Sequence, residues 1–168
     1  MKTRTSIRVV ALLLLGLLAG ASVSAGAAPL KDTAALSGLK SAKAVFLIDS
    51  DNPRKVAHVL RLVGKTAKSM DRQGVRTKVV VVVIGPTVAF LTKDRRGISY
   101  RDMRSVAEIQ KGVRTLAREG IRTEVCGVAL HGRDIDPKDV IAAAHPVGNG
   151  FISAIGYQQK GYSLVPVY

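Results

Sequence analysis

The pattern of apolar and polar positions predicts a chain in which strands alternate with helices. Residues 44–49 and 79–84 are almost continuous apolar runs, which are typical of strands buried on both faces of a parallel sheet. After each run, apolar residues recur every three or four positions, as they do on one face of a helix. The recurring positions are Val56, Leu60, Val63, Ala67 and Met70 after the first run, and Met103, Val106, Ile109, Val113 and Leu116 after the second.

The second half of the chain continues the alternation with shorter elements. In chain order, these are a strand at 122–126, a short helix with a capped start at 136–139 that leads into 140–144, a brief strand at 145–147, a helix between Gly150 and Gly161, and a last strand at 162–167. The proline in the brief strand favours either its first residue or an edge position. Alternation of this kind requires a parallel sheet that helices cover on both faces. We therefore predict a single-domain, three-layer α/β sandwich with about five mainly parallel strands.

The first 25 residues have the composition of a secretory signal peptide. A positively charged start precedes an almost wholly apolar run at 9–18, and small residues lead to a cleavage-type sequence that ends at Ala25. The run is short for a membrane span of about 20 residues. We therefore expect cleavage, a periplasmic location and no integral membrane segment afterwards, with an uncleaved anchor as the alternative. Residues 26–42 are predicted to be a linker, and residues 43–168 the α/β domain.

The chain carries a large excess of positive charge, with 26 Lys and Arg against 12 Asp and Glu. Three of these cations and no acid lie in the predicted signal, so its removal changes the formal +14 to near +11. Nucleic acid is the usual partner of so basic a protein, but an exported chain with 4% aromatic residues and no Trp lacks a stacking platform. We expect no nucleic-acid partner. The charge instead indicates a solvated surface, or attraction to acidic partners or anionic membrane.

The single cysteine, Cys126, is the main candidate for chemistry. It ends the third predicted strand, and ligand sites in parallel sheets form outside the carboxyl ends of the strands. An unpaired thiol in an oxidising compartment is sheltered, paired between molecules or chemically used. His131 and Arg133 follow closely enough to be secondary candidates for stabilising a thiolate. A surface position for His131 and a purely packing role for Cys126 are the alternatives.

Other kinds of site have weaker signals. The remaining soft metal ligands, His58, His131 and His145, have no Cys-x-x-Cys or His-x-x-x-His spacing. No strand is followed by a nucleotide-binding glycine motif, and no serine triad can be assembled. Gly148-Asn149-Gly150, at a helix start, is either a tight turn or an anion-binding turn. We therefore predict neither a metal nor a cofactor.

Several segments together resemble the DsrE/DsrF-like (YchN-like) sulfur-relay family over roughly residues 43–167. They are Ala44–Asp49, the strand at 79–85 that closes with Gly-Pro, Gly120–Leu130, Ile135–Val140 and the ending Gln158–Tyr162. The resemblance implies a compact parallel α/β sheet and assembly as trimers or hexamers. It also implies that a cysteine at the position of Cys126 carries sulfur as a persulfide, between donor and acceptor proteins or small thiols. The signal peptide and the positive charge distinguish this chain from cytoplasmic relay proteins.

The sequence thus predicts a periplasmic sulfur-handling protein, a sulfur carrier or sulfurtransferase-like protein that uses Cys126. The alternative is a non-catalytic oligomeric scaffold whose basic surface holds anionic ligands or acidic partners. We also expect a homo-oligomer, trimer or hexamer, with Cys126 near a subunit boundary. Its interface is predicted to cover the apolar helix after Gly85 and the segment Val128–Leu130.

Overall fold

Five parallel strands form the sheet in residues 30–168, the part of the chain that the computed structural model describes. The strands are β1 (Ser41–Ile48), β2 (Arg76–Val83), β3 (Arg122–Cys126), β4 (His145–Val147) and β5 (Ser163–Val167). They lie in the order β4-β3-β2-β1-β5, and every neighbouring pair is parallel. Residues Asp32–Tyr168 belong to one compact unit. The predicted signal peptide lies outside the described residues.

Helices cover both faces of the sheet, as predicted. They are α1 (Thr33–Leu36), α2 (Pro53–Arg72), α3 (Met103–Arg118), α4 (Gly127–His131) and α5 (Gly150–Gln159). The chain crosses the sheet in one direction from β1 to β3, so right-handed connections place α2 and α3 on one face. From β4 it returns past the whole sheet to β5, which places α5 on the opposite face, against β1, β2, β3 and β5. The predicted α/β fold class is therefore confirmed.

The helices α2 and α3 each bury one apolar stripe against the sheet. Asn52 starts α2, because its side-chain oxygen accepts the backbone N–H groups of Arg54 and Lys55 while Pro53 occupies the first turn. The stripes contain most of the recurring positions predicted from the sequence, and together with β1, β2 and β3 they form the core. The buried members are Val56, Leu60, Val63, Ala67, Val106, Ile109, Val113 and Leu116.

Helix α5 is built differently, because it contains no charged residue and is apolar on both sides. Ala154 is buried against the sheet, whereas Phe151, Ile152 and Ile155 are exposed at 57%, 68% and 58%. A helix that is apolar all round is typical of a position with a partner on each side. In residues 30–168, no helix is long and apolar enough to cross a membrane.

The two edges of the sheet are the strands β4 and β5, and each contains a proline. The sequence favoured Pro146 either as the first residue of a strand or in an edge strand. It lies in the edge strand β4, after His145, so the second of these positions is the observed one. Pro166 lies in β5, opposite Leu47 of β1.

The helix start predicted at 136–139 is confirmed, because a helical turn lies at Pro137–Asp139 and the side chain of Asp136 accepts the N–H of Lys138. Its predicted continuation through 140–144 is wrong. Val140 instead forms an antiparallel bridge with Thr92. Pairing with a distant segment therefore replaces the local helical preference. The described part of the predicted linker also contains α1 and the first two residues of β1.

Candidate functional site

Cys126 is the last residue of β3 and immediately precedes α4, so its sulfur lies at the carboxyl edge of the sheet. Side chains alternate along a strand, and Glu124 and Cys126 therefore share one face while Val125 takes the other. The shared face is the one that α5 covers, since both side chains contact residues of α5. Cys126 is 3% exposed. The site is thus a thiol enclosed between a strand end and a helix.

The sulfur of Cys126 accepts a hydrogen bond from the backbone N–H of Gly150, at 3.2 Å. Gly150 is the first residue of α5, where the helix dipole is positive. The thiolate is the form in which cysteine acts as a nucleophile. The hydrogen-bond donor to the sulfur is therefore a backbone N–H group at a helix start, and no side-chain cation of residues 30–168 donates to it.

Two glycines allow the backbone to close tightly around the sulfur. A Cβ atom on Gly150 would lie 2.5 Å from Cγ2 of Ile84 and 3.0 Å from the Cβ of Cys126. A Cβ atom on Gly127 would lie 2.7 Å from the carbonyl oxygen of Val147. Such distances are too short for real contacts, so any other residue at either position would force neighbouring atoms apart. Glycine at 150 is what lets the start of α5 rest on the end of β3.

A buried carboxylate lies next to the sulfur along the strand. Oε1 of Glu124 accepts hydrogen bonds from Nε of Arg122 and from the hydroxyl of Tyr157, both at 2.9 Å. Oε2 is buried without a hydrogen bond of ordinary geometry, although the Ser153 hydroxyl of α5 faces the carboxylate. Because Tyr157 belongs to the last turn of α5, this network joins the end of the helix to β3, while Gly150 joins its start to β3.

The electrostatics of the network keep Glu124 ionised and Tyr157 neutral. Burial alone raises the pKa of Glu124, but the hydrogen bonds that the carboxylate accepts, chiefly from Arg122, outweigh burial and hold this pKa below its usual value. Burial and the hydrogen bond to Glu124 raise the pKa of Tyr157 to about 12. At neutral pH, the tyrosine is therefore a donor to a charged acceptor, which is the stronger kind of hydrogen bond.

His131 and Arg133 lie farther along the chain, at the end of α4 and beyond it. Both are exposed, and neither side chain makes a hydrogen bond or salt bridge within residues 30–168. The structure thus does not bring them into contact with the sulfur, and their part in stabilising a thiolate stays a prediction. Among the described residues, no group of three or more His, Cys, Asp or Glu is placed to hold a metal ion.

Reasoning from the sequence missed Gly150, Arg122 and Tyr157 as members of the site. The sequence contained one signal for Gly150: Gly148-Asn149-Gly150 lies at a helix start and is a candidate anion-binding turn. Nothing local indicates that this turn meets Cys126, which lies 24 residues earlier.

Similar solved structures come from several organisms. The protein MTH1491 of Methanobacterium thermoautotrophicum aligns with a TM-score of 0.57 at 20% identity, over 74% of this chain and 98% of its own. BT1422 of Bacteroides thetaiotaomicron aligns with a TM-score of 0.53 at 16% identity, over 74% and 94%. The ychN protein of E. coli gives a TM-score of 0.49 at 15% identity, over 77% and 99%. At these identities, the first two likenesses show the fold alone.

A family match covers most of the chain. No curated protein shows a significant match. Residues 38–167, which include all five strands and Cys126, match the model of the DsrE/DsrF-like family. The chain therefore belongs to the DsrE/DsrF-like family.

Proposed function

We propose that this protein carries sulfane sulfur as a persulfide on Cys126. The observation that carries the proposal is the hydrogen bond from the N–H of Gly150, at the start of α5, to the sulfur of the chain's one cysteine. Such a donor stabilises a thiolate and equally a persulfide anion, since both place negative charge on sulfur. Membership of a family with a sulfur-relay type of fold supports the same chemistry.

The transfer needs no cofactor and no net oxidation. The Cys126 thiolate attacks the outer sulfur of a donor persulfide, R–S–SH, and forms a new S–S bond. The donor's S–S bond breaks, and R–S⁻ leaves with the electron pair. An acceptor thiolate then attacks the outer sulfur of Cys126–S–SH, which releases the Cys126 thiolate unchanged.

Burial limits how a donor reaches the sulfur. With Cys126 at 3% exposure, room for a second sulfur atom requires the residues around it to move. The exposed side chain that follows on α4 is apolar, Val128 at 59%. A donor would therefore approach across an apolar surface at the carboxyl edge of the sheet.

Intact-mass measurement after treatment with inorganic polysulfide tests the proposal. Wild type should gain one or more sulfur atoms that a reducing thiol removes, and Cys126→Ser should gain none. A wild-type protein that gains no sulfur, or a Cys126→Ser variant that gains as much, would contradict persulfide transfer.

A non-catalytic scaffold is the second candidate, and the 3% exposure of Cys126 is the observation that favours it. The two functions differ in the accessibility of the thiol. A sulfur carrier should react with a thiol reagent while folded, whereas a scaffold with a packing cysteine should react only after denaturation. The rate in native buffer, divided by the rate in denaturant, separates the two.

We further propose that the protein is exported to the periplasm, as its first 25 residues indicate. N-terminal sequencing of the protein from its native host should find a chain that begins at Gly26. An intact N-terminus on protein in the cytoplasm would contradict export.

We propose that copies of the chain associate through the outer side of α5. Of the two surfaces named from the sequence, the helix after Gly85 is buried within one subunit, since Val88, Phe90 and Leu91 are 0–7% exposed, whereas Val128 of the segment Val128–Leu130 is 59% exposed. Three further exposed apolar residues, Phe151, Ile152 and Ile155, lie together on α5, which has no charge to repel a second basic copy. Phe151, the neighbour of Gly150, would place the interface beside Cys126.

Light scattering with reductant present tests this association. Wild type should have the mass of a trimer or hexamer, and Ile152→Lys should lower it to that of one subunit. Leu62→Lys is the matched control, because Leu62 is an exposed leucine at 43% on α2, outside the proposed interface. A wild-type protein with the mass of one subunit would refute the proposal.

A further inference from the structure

Helices α2 and α3 hold most of the protein's excess positive charge. Together they carry ten Lys and Arg, six on α2 and four on α3, against two acids, Asp71 and Glu108. Their net charge is therefore +8, whereas residues 30–168 as a whole, with 23 Lys and Arg against 12 acids, carry +11. All ten cationic residues are exposed. The name "basic face" is used below for the exposed side of α2 and α3.

The charges of the basic face are largely unpaired. Of its ten cations, one forms a salt bridge within residues 30–168: Nζ of Lys68 lies 2.6 Å from Oε1 of Glu119. Like charges gathered on one surface repel each other, which costs free energy in the isolated protein. An anionic partner would remove this cost, so the basic face is suited to one.

The shape of the basic face favours binding to a broad anionic surface over binding to a single nucleic-acid strand in a groove. The two helices contact each other directly, and their lengths of 20 and 16 residues correspond to about 30 Å and 24 Å. Neither helix contains a Phe, Tyr or Trp, so a single-stranded nucleic acid would find only the small imidazole ring of His58 on which to stack its bases. Lipid headgroups need no such ring, because each Lys or Arg close to an anionic bilayer is attracted by its surface potential.

We propose that the basic face docks the protein on an anionic lipid bilayer. Attraction between the Lys and Arg side chains and acidic headgroups holds it there, without insertion of a helix. The face is separate from Cys126, because α2 and α3 lie on one side of the sheet and α5, which covers the sulfur, lies on the other. Docking would leave the carboxyl edge of the sheet and the outer side of α5 free.

Vesicle sedimentation with residues 26–168, which include the whole compact unit, tests this docking. The probes are vesicles of phosphatidylcholine alone and vesicles with about 30% phosphatidylglycerol, at about 0.1 M salt, where screening confines the attraction to about 10 Å. The test variant has four exposed cations of the basic face reversed: Arg61→Glu, Lys65→Glu, Lys111→Glu and Arg114→Glu. The matched control reverses four exposed cations elsewhere: Lys31→Glu, Lys40→Glu, Lys78→Glu and Lys138→Glu.

Wild type should bind the anionic vesicles and not the neutral ones. The basic-face variant should lose at least about 100-fold in affinity, and the control, of the same net charge, less than about fivefold. An equal loss in the control would overturn the proposal, because net charge alone would then explain binding. So would failure of wild type to bind, or displacement from the vesicles by duplex DNA at equal anionic charge, which would identify nucleic acid as the partner. Cys126→Ser should bind as wild type does, so this result does not depend on persulfide transfer.

Discussion

The two faces of the sheet are covered in opposite ways. On one face, α2 and α3 each bury an apolar stripe and present ten cations to solvent. On the other, α5 alone covers the sheet, has no charge, and leaves Phe151, Ile152 and Ile155 exposed. The first layer is complete within one chain. The second is joined to the sheet by polar contacts with Cys126 and Glu124, and its outer side is still apolar.

This difference separates the roles of the two layers. Burial of apolar area is the main source of stability in a small domain, and the α2–α3 layer supplies nine buried apolar side chains, whereas α5 supplies one, Ala154. The α5 layer buries less and carries the contacts of the one thiol. Substitutions in the first layer should therefore change stability, and substitutions in the second should also change the reactivity of Cys126.

The largest expected effect is on the α2–α3 layer. Leu60→Ala removes a side chain that is 2% exposed, and should lower the free energy of unfolding by about 3 kcal/mol. Leu62→Ala, on the solvent side of the same helix, should cost less than about 1 kcal/mol. Urea midpoints at constant m-value measure both. Similar losses for the two leucines would show that α2 does not bury the stripe described here.

The second-largest expected effect concerns both the free energy of unfolding and the reactivity of the Cys126 thiol. Gly150→Ala forces a Cβ against Ile84 and Cys126, and should cost about 2 kcal/mol while moving the N–H of Gly150 away from the sulfur. The rate at which the native thiol reacts should change with it. Gly156→Ala, in the same helix, meets nothing within 4 Å and should stabilise by up to about 1 kcal/mol, with an unchanged thiol rate. Equal behaviour of the two variants would argue against a special role for Gly150.

A smaller effect on the free energy of unfolding is expected from Tyr157, whose hydroxyl connects α5 to Glu124 of β3. Tyr157→Phe removes the hydroxyl that donates to Glu124, and should cost about 1–2 kcal/mol. The ring of Tyr162 packs edge-on against that of Tyr157 at 5.1 Å, but its hydroxyl makes no hydrogen bond within residues 30–168. Tyr162→Phe should therefore be close to neutral. Chemical denaturation of both variants at neutral pH makes the comparison, and a larger loss for Tyr162→Phe would contradict it.

The smallest effect is a pH dependence. The pKa of Glu124 is lower in the folded chain than its usual 4.5, so its ionised form stabilises the fold above that pH. This contribution should disappear as the pH falls through the folded pKa. The stability difference between wild type and Glu124→Gln should therefore shrink from neutral pH to about pH 3. A difference that stays constant over this range would mean that Glu124 does not titrate as described.

The parts of the fold that follow from local pattern could be predicted. Val56, Leu60 and Val63 recur at helical spacing, and all three are buried in α2. Cys126 ends a strand, as the glycine after it indicated. These features depend on residues within one or two turns of each other, so the sequence displays them directly.

The parts that depend on distant pairing could not be predicted. Gly150 meets Cys126 because β5 pairs with β1 at the far side of the sheet, which carries α5 across the face below β3. Val140 leaves the helical state because Thr92 is available to pair with it. No periodicity in either segment encodes these partners. The exposed side of α5 was also missed, since its apolar residues indicated a helix without indicating which side would meet the sheet.

The two edge prolines limit how this protein can aggregate. An exposed sheet edge is a template on which another chain can add a strand, which is the first step of fibril growth. Proline has no amide hydrogen, so Pro146 in β4 and Pro166 in β5 each remove a donor from one of the two edges. β4 is also only three residues long. Growth of the sheet from molecule to molecule is therefore disfavoured at both ends, and a concentrated solution of this protein should resist conversion to fibrils even though α5 is apolar.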